Sequence, residues 1–419
     1  MPLPWTPARQ PRVTVPRPSD PTGTVVPDAR KATERIPLGR ALDNPAAQAV
    51  VAALGGAVFV LLRLAVVAKG DVSRFVMAGS EFVDRARAPA GLHVFAGTGY
   101  DGQFYYRLAL DPADLSRTAF GITLDSFFRL QRIGYPLLSW LAAAGQHALV
   151  PNAEITVNVA ALAVLAWLGG VIARDAGRHC SWGLLVAGYW GFLFSIARDL
   201  PEVVGSCFLV AGLVALRRQR PVLGGVLFAG AVLTIETTLD VVLAVALLSL
   251  VQLLRRRRRP SRQDAAWIIP GVTFAAWQLV CWAATGTLPM RADSGANLSW
   301  PFVNALGALA HYLGALPSVG SLIWLGELGA LGLVTAAAGW ALRRSRIPRW
   351  EKLAWGIALL VAVSLAHGIW YGRADFRGFE DLYVLSTIAL LGSRRRLWVL
   401  AAIVAVVWLV TFAHRVVSL

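Results

Sequence analysis

The run AVVAALGGAVFVLLRLAVV, from Ala49 to Val67, decides the class of this chain. It is apolar over nearly the ~20 residues that a helix needs to cross a bilayer. One such run could be a buried core helix. Similar runs recur, however, at 155–173, 183–197, 201–216, 221–236, 238–254, 266–285, 319–342, 352–371, 380–393 and 397–414. Over the whole chain 56% of residues are hydrophobic and 15% are charged, with a mean hydropathy of +0.58. Soluble domains carry about 25% charged residues. The expectation is an all-α, polytopic membrane protein with about eleven transmembrane helices.

Upstream of that run, residues 1–47 hold ten of the 22 prolines, with scattered Arg, Asp and Thr. They lack the apolar residues to build a core and read as a disordered, basic, cytoplasmic tail. Residues 48–419 then form one multi-span membrane domain. The first run starts too far in for an ordinary cleaved signal peptide and reads as a retained span. The net charge of +16 does not point to nucleic acid. Its arginines sit in short blocks between apolar runs, at 217–220, 255–262, 343–349 and 394–396, as in the cytoplasmic loops of membrane proteins. Cys180, Cys207 and Cys281 have no metal or redox spacing and read as small hydrophobes.

Downstream lies a polar stretch, 69–132, in which seven acids offset seven arginines, so it is not a basic cytoplasmic loop. Alternating apolar and charged residues from Phe75 to Arg87 suggest a short interfacial helix there. Alternation from the basic loops puts 69–132, 198–202, Glu236, 287–317 and 372–380 on the outer face. It balances only if 133–150, which opens with Gly134 and Pro136, is a re-entrant or juxtamembrane helix.

Ionisable groups at the edge of a membrane are costly and usually have a task. The densest segment is Gly99-Tyr100-Asp101-Gly102-Gln103-Phe104-Tyr105-Tyr106-Arg107. A carboxylate on a tight, glycine-flanked turn can approach a substrate hydroxyl; the plainer alternative is a capping Asp beneath an aromatic belt. Arg198, Asp199 and Glu202 mark an outer helix boundary, where they could serve a site or only cap Pro201's helix. Glu236 interrupts two apolar runs, as a turn or as a site residue. Arg132, Arg373 and Arg377 could grip phosphate bidentately or form solvated loop ion pairs. The six histidines show no metal-binding spacing, and no nucleotide-binding loop or nucleophile elbow stands out.

In order along the chain, these segments resemble the GT-C fold of integral membrane glycosyltransferases, and within it the PIG-V-like mannosyltransferases and their bacterial relatives. The resemblance rests on an acid followed by aromatics after span one (Tyr100 to Ala109), and on the aromatic-Pro segment Arg132-Ile133-Gly134-Tyr135-Pro136-Leu137. It also rests on Arg198-Asp199-Leu200-Pro201-Glu202 and the turn Leu233-Thr234-Ile235-Glu236-Thr237, where Ile235 departs from the family's usual basic residue. The resemblance implies transfer of a sugar, mannose being one candidate, from a polyprenyl-phosphate donor to an extracytoplasmic lipid or glycan acceptor. Asp101 would be the catalytic base. Tyr100, Gln103, Tyr105, Arg107, Arg132, Arg198, Asp199, Glu202, Glu236, Arg373 and Arg377 would bind donor or acceptor. No cofactor is required; where a metal is used, oxygen ligands would favour Mg²⁺ or Mn²⁺. Two other readings fit the same residues: a transporter or lipid flippase, and a non-catalytic scaffold of the same fold.

Overall fold

The computed structural model describes residues 42–255, 259–292, 297–372, 374–393 and 395–418. Most of the proline-rich tail, Asp293 and Arg373 lie outside them. The described chain is mostly helical. The helices are, in order, α1 (Pro45–Val66), α2 (Gly102–Leu110), α3 (Gly134–Ala142), α4 (Val150–Asp175), α5 (Leu184–Ala187), α6 (Gly191–Ile196), α7 (Glu202–Arg217), α8 (Pro221–Thr234) and α9 (Leu239–Leu254). There follow α10 (Ala265–Thr285), α11 (Pro289–Ala292), α12 (Val303–Gly314), α13 (Val319–Leu342), α14 (Arg349–Val363), α15 (His367–Trp370), α16 (Glu380–Leu391) and α17 (Trp398–Val417).

Among the described residues six helical stretches are long and apolar enough to cross a membrane: Pro45–Val66, His147–Asp175, Glu236–Leu254, Arg262–Thr285, Val319–Leu342 and Trp398–Val417. Their packing fits that use. α1 leaves Val50, Leu54, Val58 and Leu61 exposed along its length. A soluble monomer rarely carries so long an apolar strip uncovered, whereas lipid covers it at no cost. At the centre, α4 packs against α1 and α7, and α16 packs against α13 and α14. Every side chain of α16 is buried.

Other expected spans take different forms. The stretch 183–197 is two short helices, α5 and α6, interrupted at Gly188 to Trp190. There Tyr189 stacks on Tyr383, 4.6 Å between ring centroids, and its hydroxyl donates to the Phe376 carbonyl. The stretch 352–371 is α14 followed by a break and the four-residue α15. The stretch 133–150 yields only the nine-residue α3, about 13 Å long at about 1.5 Å per residue, too short to cross. It enters against α8: a Cβ on Gly134 would stand 2.4 Å from Thr234 Oγ1.

The interfacial helix expected from Phe75 to Arg87 does not form. A 3₁₀ turn ends at Phe75, and Ala78–Gly79 (β1) pairs in parallel with Val94–Phe95 (β2). Backbone crowding explains this, since a Cβ on Gly79 would lie 2.2 Å from the Gly99 nitrogen. Thr118–Ala119 (β3) and Ile122–Thr123 (β4) make a second, antiparallel pair. Within 287–317, placed on the outer face from sequence, lie the short α11 and the twelve-residue α12.

Candidate functional site

The site begins where the 97–101 turn feeds α2. Gly102 must be glycine, because a Cβ there would sit 2.2 Å from the Arg198 carbonyl oxygen. That contact brings the 198–202 connection beside Asp101, although the two are far apart in sequence. Asp101 occupies the N-cap position of α2, yet its side chain makes no capping hydrogen bond. The carboxylate turns instead to two arginines. Arg129 Nη2 donates to Oδ1 at 2.9 Å and Arg377 Nη2 donates to Oδ2 at 2.6 Å. Burial alone would raise the Asp101 carboxyl, but the two guanidiniums outweigh it and hold it well below the usual carboxylate range.

Around this pair a network closes. Arg129 is also held bidentately by Asp125, at 3.0 and 2.8 Å. Arg377 reaches Glu202 at 3.3 Å. Arg132 grips Glu236 bidentately, at 2.8 and 2.6 Å, and donates to the Tyr105 hydroxyl at 2.9 Å. Thr237 donates to Asp381 at 2.7 Å. Arg198 differs: its guanidinium carbon lies over Tyr100 and Phe194, 4.6 and 4.5 Å from the ring centroids.

A cavity of about 1190 Å³ opens beside the network. Tyr100, Arg132, Arg198, Glu202, Glu236 and Arg377 line its polar end. Asp240, Gln131, Thr237 and Asn297 add polar groups, and most of the remaining wall is apolar: Val242, Leu243 and Ala246 of α9, Trp267, Gly271 and Phe274 of α10, and Ile357 and Val361 of α14. Asp101 and Arg129 stand one layer behind, with the Asp101 side chain 18% exposed. The arrangement can hold an anionic head at one end and a hydrocarbon chain along the other.

Comparison with known families, curated proteins and solved structures gives no match.

The other described residues singled out from sequence fall into two groups, with Asp199 in neither. Tyr100, Tyr105, Arg132, Arg198, Glu202, Glu236 and Arg377 join Asp101 in this network or its cavity. Gln103 and Arg107 instead fasten loops. Gln103 accepts from the Gly79 amide at 2.9 Å and donates to the Thr98 carbonyl at 2.8 Å. Arg107, fully buried, donates to the carbonyls of Asp114 and Ser116. Asp199 is buried, in the left-handed region at φ 49°, has no hydrogen-bond partner and does not line the cavity. Burial pushes its carboxyl up. Among the described residues no three His, Cys, Asp or Glu side chains are grouped so as to hold a metal ion.

Arg129 was not singled out from sequence as a site residue. Its i,i+4 spacing to Asp125 is a usable signal for an ion pair, but nothing in that spacing points to Asp101. Asp375, paired bidentately with Arg415 at 2.6 and 2.5 Å, was likewise missed as the post that holds the 375–379 turn. Phe194 joins the two layers, because the Arg415 guanidinium carbon also lies over it at 4.7 Å.

Proposed function

We propose that this chain is a GT-C-type membrane glycosyltransferase, with about eleven spans and α3 as a juxtamembrane or re-entrant helix. It moves a sugar, mannose being one candidate, from a polyprenyl-phosphate donor to a lipid or glycan acceptor on the outer face of the cell membrane. Its N-terminal tail lies in the cytoplasm. One observation carries the reading: a carboxylate gripped by two arginines stands one layer behind the arginine-lined end of a cavity whose remaining wall is mostly apolar. A sugar donor on a long lipid phosphate has the matching polarity.

In this reaction Asp101 accepts the proton of the acceptor hydroxyl. The hydroxyl oxygen attacks the anomeric carbon, the bond from that carbon to the phosphate oxygen breaks, and the lipid phosphate leaves with the electron pair. Arginines at the polar end stabilise the charge growing on the phosphate. A donor phosphate also competes with Asp101 for Arg377. Donor binding therefore frees one carboxylate oxygen and makes Asp101 a better base than it is in the resting site.

The test is sugar transfer by the purified protein with radiolabelled polyprenyl-phosphate sugars. Asp101→Asn removes the base and keeps the shape, because Arg129 retains Asp125 and Arg377 retains Glu202. Transfer is expected to fall by roughly 10² to 10⁴, with the melting temperature in detergent little changed. Undiminished transfer by a folded Asp101→Asn protein would remove Asp101 from the mechanism.

One observation favours a second reading, a transporter or flippase. Among the described residues the buried carboxyls of Glu154, Asp199 and Glu380 have no hydrogen-bond partner, and such groups can carry protons across a membrane. Lipid movement in proteoliposomes without any sugar transfer would select it.

A further inference from the structure

Arginines crowd the cavity's polar end, and they are not equivalent. Arg132 is matched by Glu236, and Arg129, one layer back, by Asp125 and Asp101. Arg377 divides itself between Asp101 and Glu202. Arg198 has no carboxylate within salt-bridge distance among the described residues, and its Nε is buried without a hydrogen-bond partner. The aromatic rings that hold it, Tyr100 and Phe194, line the cavity with it. Burial, with Arg415 and Arg377 nearby, pulls its pKa down to about 10, so at neutral pH it is still a cation.

The Arg377 guanidinium carbon lies over the same Tyr100 ring, 4.9 Å from its centroid. Asp101 and Glu202 match the charge of Arg377, so of the two guanidiniums at this ring the Arg198 charge is the one left without an ion pair among the described residues. A guanidinium held over a ring face by its carbon makes no hydrogen bond to that ring in doing so, and its fork of N–H groups suits bidentate hydrogen bonds to phosphate oxygens. Asp240, the remaining acid on the cavity wall, is at the α9 side near Asp381 and is not among Arg198's ion-pair partners.

We propose that Arg198 and Arg377, aligned on Tyr100, form a clamp for the phosphate of a lipid-linked phosphate whose hydrocarbon chain lies along α9, α10 and α14, with Arg198 as its anchor. Identifying that phosphate with the sugar donor's rests on the function proposed above; the clamp itself does not.

The test measures binding to the full-length protein in nanodiscs, using decaprenyl monophosphate, the uncharged alcohol decaprenol, and phosphatidate. The protein is expected to prefer decaprenyl monophosphate over decaprenol by at least about tenfold. Arg198→Gln should lose most of that preference while its affinity for decaprenol stays the same, a pattern that general loosening of the fold does not give. Arg198→Lys, which keeps the charge but not the planar fork, should keep part of the preference. It also carries the test if the Gln variant does not fold. No preference in the unaltered protein, or full preference in either folded variant, overturns the clamp. Phosphatidate bound as tightly as decaprenyl monophosphate, and released by Arg198→Gln, upholds the clamp as a headgroup site and counts against the polyprenyl donor. A clamp that behaves as expected in a protein without sugar transfer sinks the glycosyltransferase reading alone.

Discussion

Asp101 is a weak base as it rests, because Arg129 and Arg377 both stabilise its charged form. The same depression means that this carboxylate adds stability above the ordinary aspartate pKa of about 3.9, and that the contribution is lost as pH falls through the lower folded value. Replacing Arg129 by Gln removes one of the two cations, so the Asp101 pKa should rise toward that ordinary value. A base must be ionised to act. The acid limb of kcat/KM for sugar transfer should therefore move to higher pH in Arg129→Gln, while the alkaline side stays where it was. A profile carried down to about pH 2 checks this, and an unmoved acid limb in an active variant would mean that another group is the base. Asp101 was legible in the sequence from its glycine flanks and aromatic neighbours. Arg377 was legible as a site arginine but its pairing with Asp101 was not, nor was that of Arg129, because they are 276 and 28 residues away and no local pattern encodes such a meeting. Gln103 and Arg107 shared the dense run and looked equally chemical. Helix α2 turns them onto other faces, where they fasten loops.

At the scale of elements, the long apolar runs gave helices whose ends lie within a few residues of those read from hydropathy, as at α9, α10 and α13. Hydropathy could not show that 183–197 breaks in two, since buried irregular backbone is as apolar as buried helix. The break depends on contacts from α16 and the Phe376 carbonyl. It could not show the backbone crossings either. The turn before α5 presses on α4 so closely that a Cβ on Gly183 would lie 2.1 Å from the Gly170 nitrogen, and one on Gly169 would lie 2.3 Å from the Gly183 oxygen. Small residues at such crossings let helices pack where no hydrophobic force drives them together in lipid. Gly183→Val should therefore push α5 off α4, at a cost above the roughly 1–3 kcal/mol of ordinary overpacking, because backbone cannot give way as a side chain can. Thermal unfolding in detergent should fall by several degrees or the protein should aggregate. Gly326→Ala in α13, with nothing within 4 Å of the added methyl, is the matched control and should be neutral.

Taken whole, the molecule has two chemically distinct ends. Helices leave the Asp101 network and come back to it. α7 starts at Glu202, bonded to Arg377, and ends at Arg217, bonded to Glu351 at 2.6 Å. At about 1.5 Å per residue its 16 residues carry the chain about 24 Å away. α8 then returns to Glu236, bonded to Arg132. α16 leaves from beside Arg377 and ends at Leu391, whose carbonyl accepts from Arg178 at 2.9 Å. Arg178 also binds the carbonyls of Ser393 and Arg395, and the Arg346 amide binds Gly392. The arginine-rich loops thus gather at the end away from the acids and arginines of the site, a segregation that follows from helix lengths and that the charge blocks had already suggested. If the basic end is cytoplasmic, single cysteines placed at exposed Ala113 and Gln219 in a background lacking the native cysteines must differ in sidedness. A membrane-impermeant maleimide added to intact cells should label Ala113→Cys and leave Gln219→Cys unlabelled until the membrane is opened. Labelling of Gln219→Cys alone would invert the orientation and move the site to the cytoplasmic face, where the proposed acceptor is absent. Labelling of both from outside would mean that α7 and α8 do not cross the membrane at all, and the site could not then be fed from within the bilayer.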